Sequence, residues 1–253
     1  MATAELGQDL ALALNPALLM TRALGVAPDP WQVRFLTSTA PRVLLNITRQ
    51  GGKSTASAVL AVHTALYDPG ALVLLAAPTL RQSGELFKKC LQVYRSLDRP
   101  IPAESETALT LTLDNGSRIV SLPGAEGSIR GYSGVRLLIL DEAARVPDDL
   151  YFSVRPMLAV SSGRLLALST PFGKRGFFHA EWTGASGWER YEVPAAQCPR
   201  IPAAFLEEER ASMSPWFYQQ EYQCIFGETV DQVFAYDLVQ TALTPDVKPF
   251  FMR

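Results

Sequence analysis

The chain has 253 residues, of which 48% are hydrophobic and 19% charged, and its formal net charge is −2. This length can bury a sizeable core in one large domain, and no stretch reaches the apolar length of a membrane span, so we expect no membrane partner. The near-neutral charge excludes a generally basic nucleic-acid-binding protein, but it allows a local basic groove, because phosphate contacts need only a few Arg or Lys.

The N-terminus and the cysteines indicate a cytoplasmic chain. The first twenty residues, MATAELGQDLALALNPALLM, carry no Lys or Arg before their apolar run, which is untypical of a secretory signal. We predict one amphipathic helix there. Cys90, Cys198 and Cys224 are far apart and form no C-x-x-C pair, so we expect reduced thiols rather than a disulfide framework or a zinc site.

Four short apolar runs predict strands buried on both faces, because their interiors barely alternate. They are residues 43–47, 71–78, 135–142 and 163–170. Helix-like segments at 53–67 and 79–97 lie between them. The alternation of strand and helix predicts an α/β domain with a mostly parallel sheet.

The other segments predict additions to this sheet. Two alternating runs in residues 107–122 flank the turn sequence Asp114–Ser117, which indicates an antiparallel hairpin at one sheet edge. The Gly-rich residues 123–134 predict a mobile loop. After Trp188 we predict a strand and two short helices, the second beginning at Ser214–Pro215.

Polar residues follow each of the four apolar strands. The first strand leads into Thr48–Lys53, the second ends at Pro78–Thr79, the third at Asp141–Glu142 and the fourth at Ser169–Thr170. Ligands bind at the carboxyl ends of the strands in open parallel sheets. The four strands therefore predict one ligand site.

Residues 46–55, NITRQGGKST, approximate the phosphate-loop pattern G-x-x-x-x-G-K-[ST], although Ile47 occupies the first Gly position. Backbone N–H groups at the start of the following helix would attract phosphates. Lys53 would reach the β- and γ-phosphates and Ser54 would bind Mg²⁺. On this segment alone, a plain turn with an exposed Lys stays open. The predicted nucleotide-binding residues here are Thr48, Gln50, Gly51, Gly52, Lys53, Ser54 and Thr55.

Asp141 and Glu142 end a buried apolar strand. Burying a charged group is unfavourable unless it has a partner, so two carboxylates at this position suggest a functional role. Asp141 can hold the Mg²⁺ shell, and Glu142 can activate the attacking water. The alternative is that the pair only caps the next helix. The presence of Lys53 on another strand of the same pattern favours catalysis.

Three further positions are candidates for nucleotide contact. Gln32, in the sequence DPWQ, can donate to and accept from the N6/N7 edge of adenine, whereas its neighbour Trp31 fits the core better. Ser169 and Thr170 can sense the γ-phosphate or the water. The alternative for that pair is a simple turn into Pro171.

Two arginines are candidates for stabilising transition-state charge. Arg130, in the Gly-rich loop, can enter a neighbouring subunit's site, whereas Arg49 would act within its own site. Either can instead be a surface ion pair, and the sequence leaves open which arginine is decisive.

Together, D-P-W-Q, R-Q-G-G-K-S-T, L-I-L-D-E-A and L-S-T-P resemble the large subunit of tailed-phage terminases over residues 28–227. Members of this family are ATP-driven motors that package viral DNA, and they often carry Arg-Gln before G-K-[ST]. The resemblance implies ATP and Mg²⁺ as cofactors, a Walker B role for Asp141–Glu142 and a coupling role for Ser169–Thr170. It also implies an arginine finger at Arg130 that acts across a subunit ring.

The resemblance further implies a P-loop NTPase fold of the ASCE/RecA-like type. The ATPase domain would span 1–227, with the core at about 28–190 and a small lid at about 190–227. Residues 228–253 would form a linker toward a nuclease domain that this chain lacks, so nuclease activity is not expected. Expected partners are double-stranded DNA, contacted through phosphates, a homo-oligomeric ring on a capsid portal and the small terminase subunit, in the host bacterial cytoplasm.

Two other functions remain as alternatives. A helicase-type DNA-dependent ATPase would need a second motor domain, for which 253 residues leave no room, so this alternative requires the chain to be a fragment. A non-hydrolysing, ATP-gated assembly module would be expected to lack the catalytic carboxylate, whereas Glu142 is present.

Overall fold

The computed structural model describes residues 2–123, 131–185, 187–228 and 236–243. Its helices, in chain order, are α1 Ala2–Leu14, α2 Pro16–Leu24, α3 Pro30–Thr37, α4 Lys53–Tyr67, α5 Leu80–Ser96, α6 Asp148–Val154, α7 Gly176–Thr183, α8 Ala203–Ser212, α9 Pro215–Tyr222 and α10 Tyr236–Ala242. Its strands are β1 Arg42–Ile47, β2 Leu72–Ala77, β3 Ala103–Glu106, β4 Thr110–Leu113, β5 Arg118–Pro123, β6 Val135–Asp141, β7 Arg164–Ser169 and β8 Glu189–Val193. Within these ranges, no helix is long and apolar enough to cross a membrane.

The described strands form one eight-stranded sheet in the order β3-β4-β5-β2-β6-β7-β1-β8. The pairs from β5 through β8 are all parallel. The four strands predicted from apolar runs are therefore consecutive in the sheet, as β2, β6, β7 and β1. The predicted α/β class with a mostly parallel sheet is confirmed.

The sheet is buried on both faces, which explains why its central strands are continuously apolar. One face packs against α2, α3, α4 and α5, and the other packs against α6 and α7. Trp31 is in the first of these cores, as predicted. The structure has Cys90, Cys198 and Cys224 as buried thiols that form no disulfide.

The antiparallel part of the sheet lies at one edge. β4 and β5 form the predicted hairpin, and Gly116 in its turn has a φ of 82°, which glycine adopts without strain. β3 pairs with β4 outside this hairpin and was not predicted. Its sequence, AESE, is polar and mostly exposed, so it carries no apolar alternation.

The N-terminal segment corrects one prediction. Instead of one amphipathic helix there are two, α1 and α2, separated at Asn15. The Asn15 side chain accepts a hydrogen bond from the Ala17 N–H, and Pro16 occupies the first helical position. An Asn-Pro pair starts a new helix in this way because Pro has no N–H to continue the previous one.

The C-terminal segment contains the predicted strand, β8, and the two predicted short helices, α8 and α9, and a third helix, α10, was not predicted. β8 pairs parallel with β1, and α9 begins with Ser214 as its N-cap. The Ser214 hydroxyl oxygen accepts from the Phe217 N–H at 3.4 Å. This arrangement brings α9 next to the loop that follows β1. Residues 124–130 of the predicted Gly-rich loop lie outside the described residues.

Candidate functional site

The loop between β1 and α4 needs its two glycines for different reasons. A Cβ on Gly51 would lie 2.6 Å from Cγ2 of Ile47, so no side chain fits there. Gly52 has a φ of 87°, which is strained for any residue with a side chain. Gln50 also has a positive φ, of 58°. The loop is therefore tightly wound even though Ile47 replaces its usual first glycine.

The N-terminus of α4 is arranged to receive an anion. Its N-cap, Gly52, provides no capping side chain, so the N–H groups of the first turn lack an acceptor from the cap. The Lys53 side chain is buried and its Nζ donates to the Ile47 carbonyl at 3.4 Å. Free N–H groups, the helix dipole and a buried ammonium together favour phosphate.

A cavity of about 360 Å³ opens beside this loop and contains most of the predicted nucleotide-binding residues. Those lining it are Gln32, Arg49, Gln50, Gly52, Lys53, Ser54 and Thr55. The lining also includes Met20, Leu24, Val26, Lys89 and Arg200, which were not predicted. The cavity thus combines an apolar wall from α2 with a strongly basic loop side.

Gln32 lies in the cavity wall, but half of its amide is already used. Its Oε1 accepts from the Asp29 N–H at 2.8 Å, in the capping box of α3. Its Nε2 points at the loop, 2.8 Å from the place where a Cβ on Gly52 would lie. The adenine contact of Gln32 stays a prediction, with Nε2 as its available donor.

Arg200 holds this wall together from the C-terminal segment. Its guanidinium pairs with Asp29, at 2.9 Å to Oδ1, and donates to the Gly51 carbonyl at 3.3 Å. No sequence pattern signals this contact, because Arg200 is 149 residues from the loop that it contacts.

Asp141 ends β6 on the same sheet face as α4 and α5, and it is 8% exposed. Burial and the adjacent Glu142 raise the pKa of Asp141 to about 6, and the charge of Lys53 opposes this shift. The convergence of the phosphate loop, Asp141 and Glu142 on one ligand site stays a prediction. A carboxylate oxygen from Asp141 and a hydroxyl oxygen from Ser54 are donors that Mg²⁺ prefers, and a cation would offset the cost of burial.

Glu142 begins the turn after β6 with a φ of 51°, in the left-handed region. Together with Asp141 it lines a second cleft, of about 250 Å³, whose other wall is the start of α5. The Glu142 carboxylate is partly exposed and accepts from Arg145 at 2.9 Å. It does not cap a regular α-helix, because only a short 3₁₀ turn follows.

Ser169 and Thr170 lie at the end of β7, between β6 and β1 in the sheet. Ser169 alternates with Ala167, so its side chain faces the core of α6 and α7 rather than α4. Its register partner on β1 is Asn46, and neither Oγ of Ser169 nor Oδ1 of Asn46 has a hydrogen-bond partner in the described residues. The sensor role of this pair remains a prediction.

The loop also contacts α9, through Glu221. The Thr48 hydroxyl donates to the Glu221 carbonyl at 2.9 Å, so Thr48 serves this contact and does not line the cavity. Arg49 is largely exposed, with Nε 3.7 Å from the buried Glu221 carboxylate. Arg130, the other predicted arginine, lies outside the described residues.

The fold and site define an α/β domain of the P-loop NTPase type. A family model described as "Terminase large subunit, T4likevirus-type, N-terminal" matches residues 44–241. The chain belongs to this family, which confirms the resemblance drawn from the sequence motifs.

Curated relatives include large terminase subunits from two phages. That of Thermus virus P23-45 is 28% identical over 228 residues, which cover 83% of this chain and 47% of the relative. That of Escherichia phage T5 is 26% identical over 230 residues, covering 83% of this chain and 50% of the relative. The chain spans about half the length of the curated relatives it matches.

Solved structures share the fold. The large terminase ATPase domain of Thermus phage P74-26 aligns with a TM-score of 0.74 at 24% identity, over 85% of this chain and 100% of that one. The large terminase of bacteriophage HK97 aligns with a TM-score of 0.69 at 14% identity, over 85% of this chain and 55% of that one.

Proposed function

We propose that this chain is the ATP-hydrolysing motor domain of a viral large terminase that drives double-stranded DNA into a procapsid. One observation carries the proposal. The phosphate-loop residue Lys53 and the carboxylates Asp141 and Glu142 follow the carboxyl ends of parallel strands in one sheet, and the Lys53 charge opposes the raised pKa of Asp141. Neither a plain turn nor a helix cap accounts for this convergence.

Nucleotide binding follows from the lining of the cavity. The first-turn N–H groups of α4 and the Lys53 ammonium would bind the β- and γ-phosphates, and Gln32 would contact adenine. Ser54 and Asp141 would hold Mg²⁺, which neutralises phosphate charge when bound. The large terminase of a thermophilic bacteriophage, which shares this fold, has been solved in complex with ADP and with ATP-γ-S, and this supports the ligand class.

In the hydrolysis step, the Glu142 carboxylate orients a water and accepts its proton as the water oxygen attacks the γ-phosphorus. The bond from phosphorus to the bridging oxygen breaks, and ADP and phosphate leave. Lys53 and Arg49 would stabilise the charge of the transition state from within the site. Arg130 would do so from a neighbouring subunit, which requires a head-to-tail ring.

The wider assignment concerns the whole motor. We propose that residues 190–227 form a lid on the core and that 228–253 lead toward a further domain. DNA would be held through its phosphates, without sequence reading. The ring would sit on a capsid portal with the small terminase subunit, in the cytoplasm of a bacterial host.

The test measures Mg²⁺-ATP binding and hydrolysis separately, for wild type, Lys53→Ala and Glu142→Gln. We expect Lys53→Ala to lose both, because the phosphates lose their buried cation. Glu142→Gln keeps the shape of the side chain but cannot take a proton, so it should bind ATP normally and lose about 100-fold or more in hydrolysis. Glu104→Gln, at an exposed site on β3, is the matched control.

Two results would overturn the proposal. If wild type binds ATP but never hydrolyses it at any protein concentration, with DNA and Mg²⁺ present, the assembly-module function replaces the motor. If Glu142→Gln hydrolyses at the wild-type rate, another residue activates the water.

A further inference from the structure

Arg145 makes contacts that the proposed function does not yet use. It ends the 3₁₀ turn Ala143–Arg145 that follows Glu142. Its guanidinium donates to the Glu142 Oε2 at 2.9 Å, lies 4.4 Å from the ring centroid of Phe172 and is 4.0 Å from the Glu221 carboxylate. One side chain therefore contacts the candidate catalytic carboxylate, the loop after β7 and helix α9.

The contact with Glu142 restricts a side chain that otherwise has several rotamers. The Glu142 backbone is already fixed in the left-handed region, and its side chain is 28% exposed, so solvent alone would leave the carboxylate mobile. A charge-assisted hydrogen bond at 2.9 Å holds one carboxylate oxygen. The Phe172 ring in turn restrains the planar guanidinium by a cation–π contact.

The contact with Glu221 joins this pair to the C-terminal segment. The Glu221 side chain is only 5% exposed, and a buried carboxylate needs cationic partners. Among the described residues these partners are Arg145 and the phosphate-loop residue Arg49. Arg145 is the member of this cluster that reaches the carboxylate expected to activate water.

We propose that Arg145 is a positioning residue, which holds the Glu142 carboxylate in place and ties it to α9 through Glu221. The proposal rests on the proposed ATPase function. Because Arg145 does not line the cavity around Lys53, its loss should slow hydrolysis and leave nucleotide binding intact.

The test compares kcat and KM for ATP, with the Kd for Mg²⁺-ATP-γ-S, in Arg145→Ala, Arg145→Lys and Arg175→Ala. A misplaced base costs about ten- to 100-fold, so kcat of Arg145→Ala should fall by about that factor while KM and Kd stay within about twofold. Arg145→Lys keeps the charge without the planar fork and should recover part of the rate.

Arg175 is the matched control, because it also lies over the Phe172 ring, at 4.6 Å, and is not a partner of Glu142 in the described residues. Arg175→Ala should hydrolyse ATP within about twofold of wild type.

Unchanged kcat in Arg145→Ala would overturn the inference, as would a parallel loss of ATP-γ-S binding and thermal stability, which would indicate a merely structural arginine. If Glu142→Gln abolishes hydrolysis while Arg145→Ala hydrolyses normally, only this inference fails. If wild type shows no hydrolysis at all, the proposed function fails and the inference fails with it.

Discussion

The buried carboxylate of Asp141 destabilises the ligand-free protein at neutral pH, and a bound cation would offset this effect. Its carboxylate is buried beside Glu142, and these two features raise its pKa to about 6, above the ordinary value of 3.8. The folded state therefore binds a proton more tightly than the unfolded chain. The contribution of Asp141 to stability falls as the pH rises from about 4 to about 6, and the penalty is complete above that range.

Asp141→Asn should therefore raise the Tm of the protein without nucleotide or metal. The amide carries no charge to desolvate, and a shift of this size corresponds to about 1 to 3 kcal/mol. The gain in Tm over wild type should be larger at pH 7.5 than at pH 5, as measured by thermal unfolding in EDTA. Asp114→Asn, at an exposed hairpin position, should show no such pH dependence. Equal gains at both pH values would contradict the assigned cost of burial.

Helix α9 is attached to the strand under the phosphate loop by buried polar contacts. Asn46 on β1 donates to the Cys224 carbonyl at 2.8 Å, just beyond the end of α9. Thr48 and the Arg49 N–H both donate to the Glu221 carbonyl. These contacts hold α9 in one position against the phosphate loop, because buried polar groups tolerate few alternative arrangements.

Asn46→Ala should loosen α9 selectively, because it leaves the buried Cys224 carbonyl unpaired at a cost of about 1 to 3 kcal/mol. Hydrogen exchange of the amides in residues 215–224 should become faster. Asn115→Ala is the control, since Asn115 donates to the Ala65 carbonyl at 2.9 Å, far from α9 in sequence. Protection of 215–224 that is unchanged in Asn46→Ala would show that α9 is held by its other contacts.

In the proposed assembly, Arg130 is the residue that would act in the site of a neighbouring subunit. A finger supplied in trans makes hydrolysis depend on assembly, so the rate per chain should rise with protein concentration. Arg49 is the other candidate for stabilising the charge of the transition state. Its side chain is largely exposed and lines the cavity beside the phosphate loop of the same chain.

We expect Arg130→Ala and Glu142→Ala each to abolish hydrolysis, and their mixture to regain part of the activity. Mixed rings would pair an intact Glu142 with an intact Arg130 from the neighbour. Arg136→Ala is the control, because the Arg136 guanidinium pairs with Asp68 and the Ser161 carbonyl of its own chain. If Arg130→Ala alone stays fully active, the finger assignment is wrong and Arg49 becomes the decisive arginine.

The pattern of apolar and polar residues is enough to predict the central strands of the sheet and the points at which they end. Buried parallel strands must be apolar throughout, so β1, β2, β6 and β7 were visible as runs, and the polar residues after them marked the ligand edge. The same logic could have found Arg145, which is only three residues after Glu142. It could not find β3, because an exposed edge strand needs no apolar pattern.

The contacts by which distant segments complete the site depend on tertiary packing and have no signal in the sequence. Arg200 contacts Gly51 across 149 residues of sequence. The Glu221 carbonyl accepts from Thr48 across 173 residues, and Asn46 donates to the Cys224 carbonyl across 178. The same packing directs the Thr48 hydroxyl to the Glu221 carbonyl of α9, and the Ser169 side chain faces away from α4. Local pattern fixes which residues are buried or polar, but the packing of β8 and α9 against β1 fixes which polar groups meet.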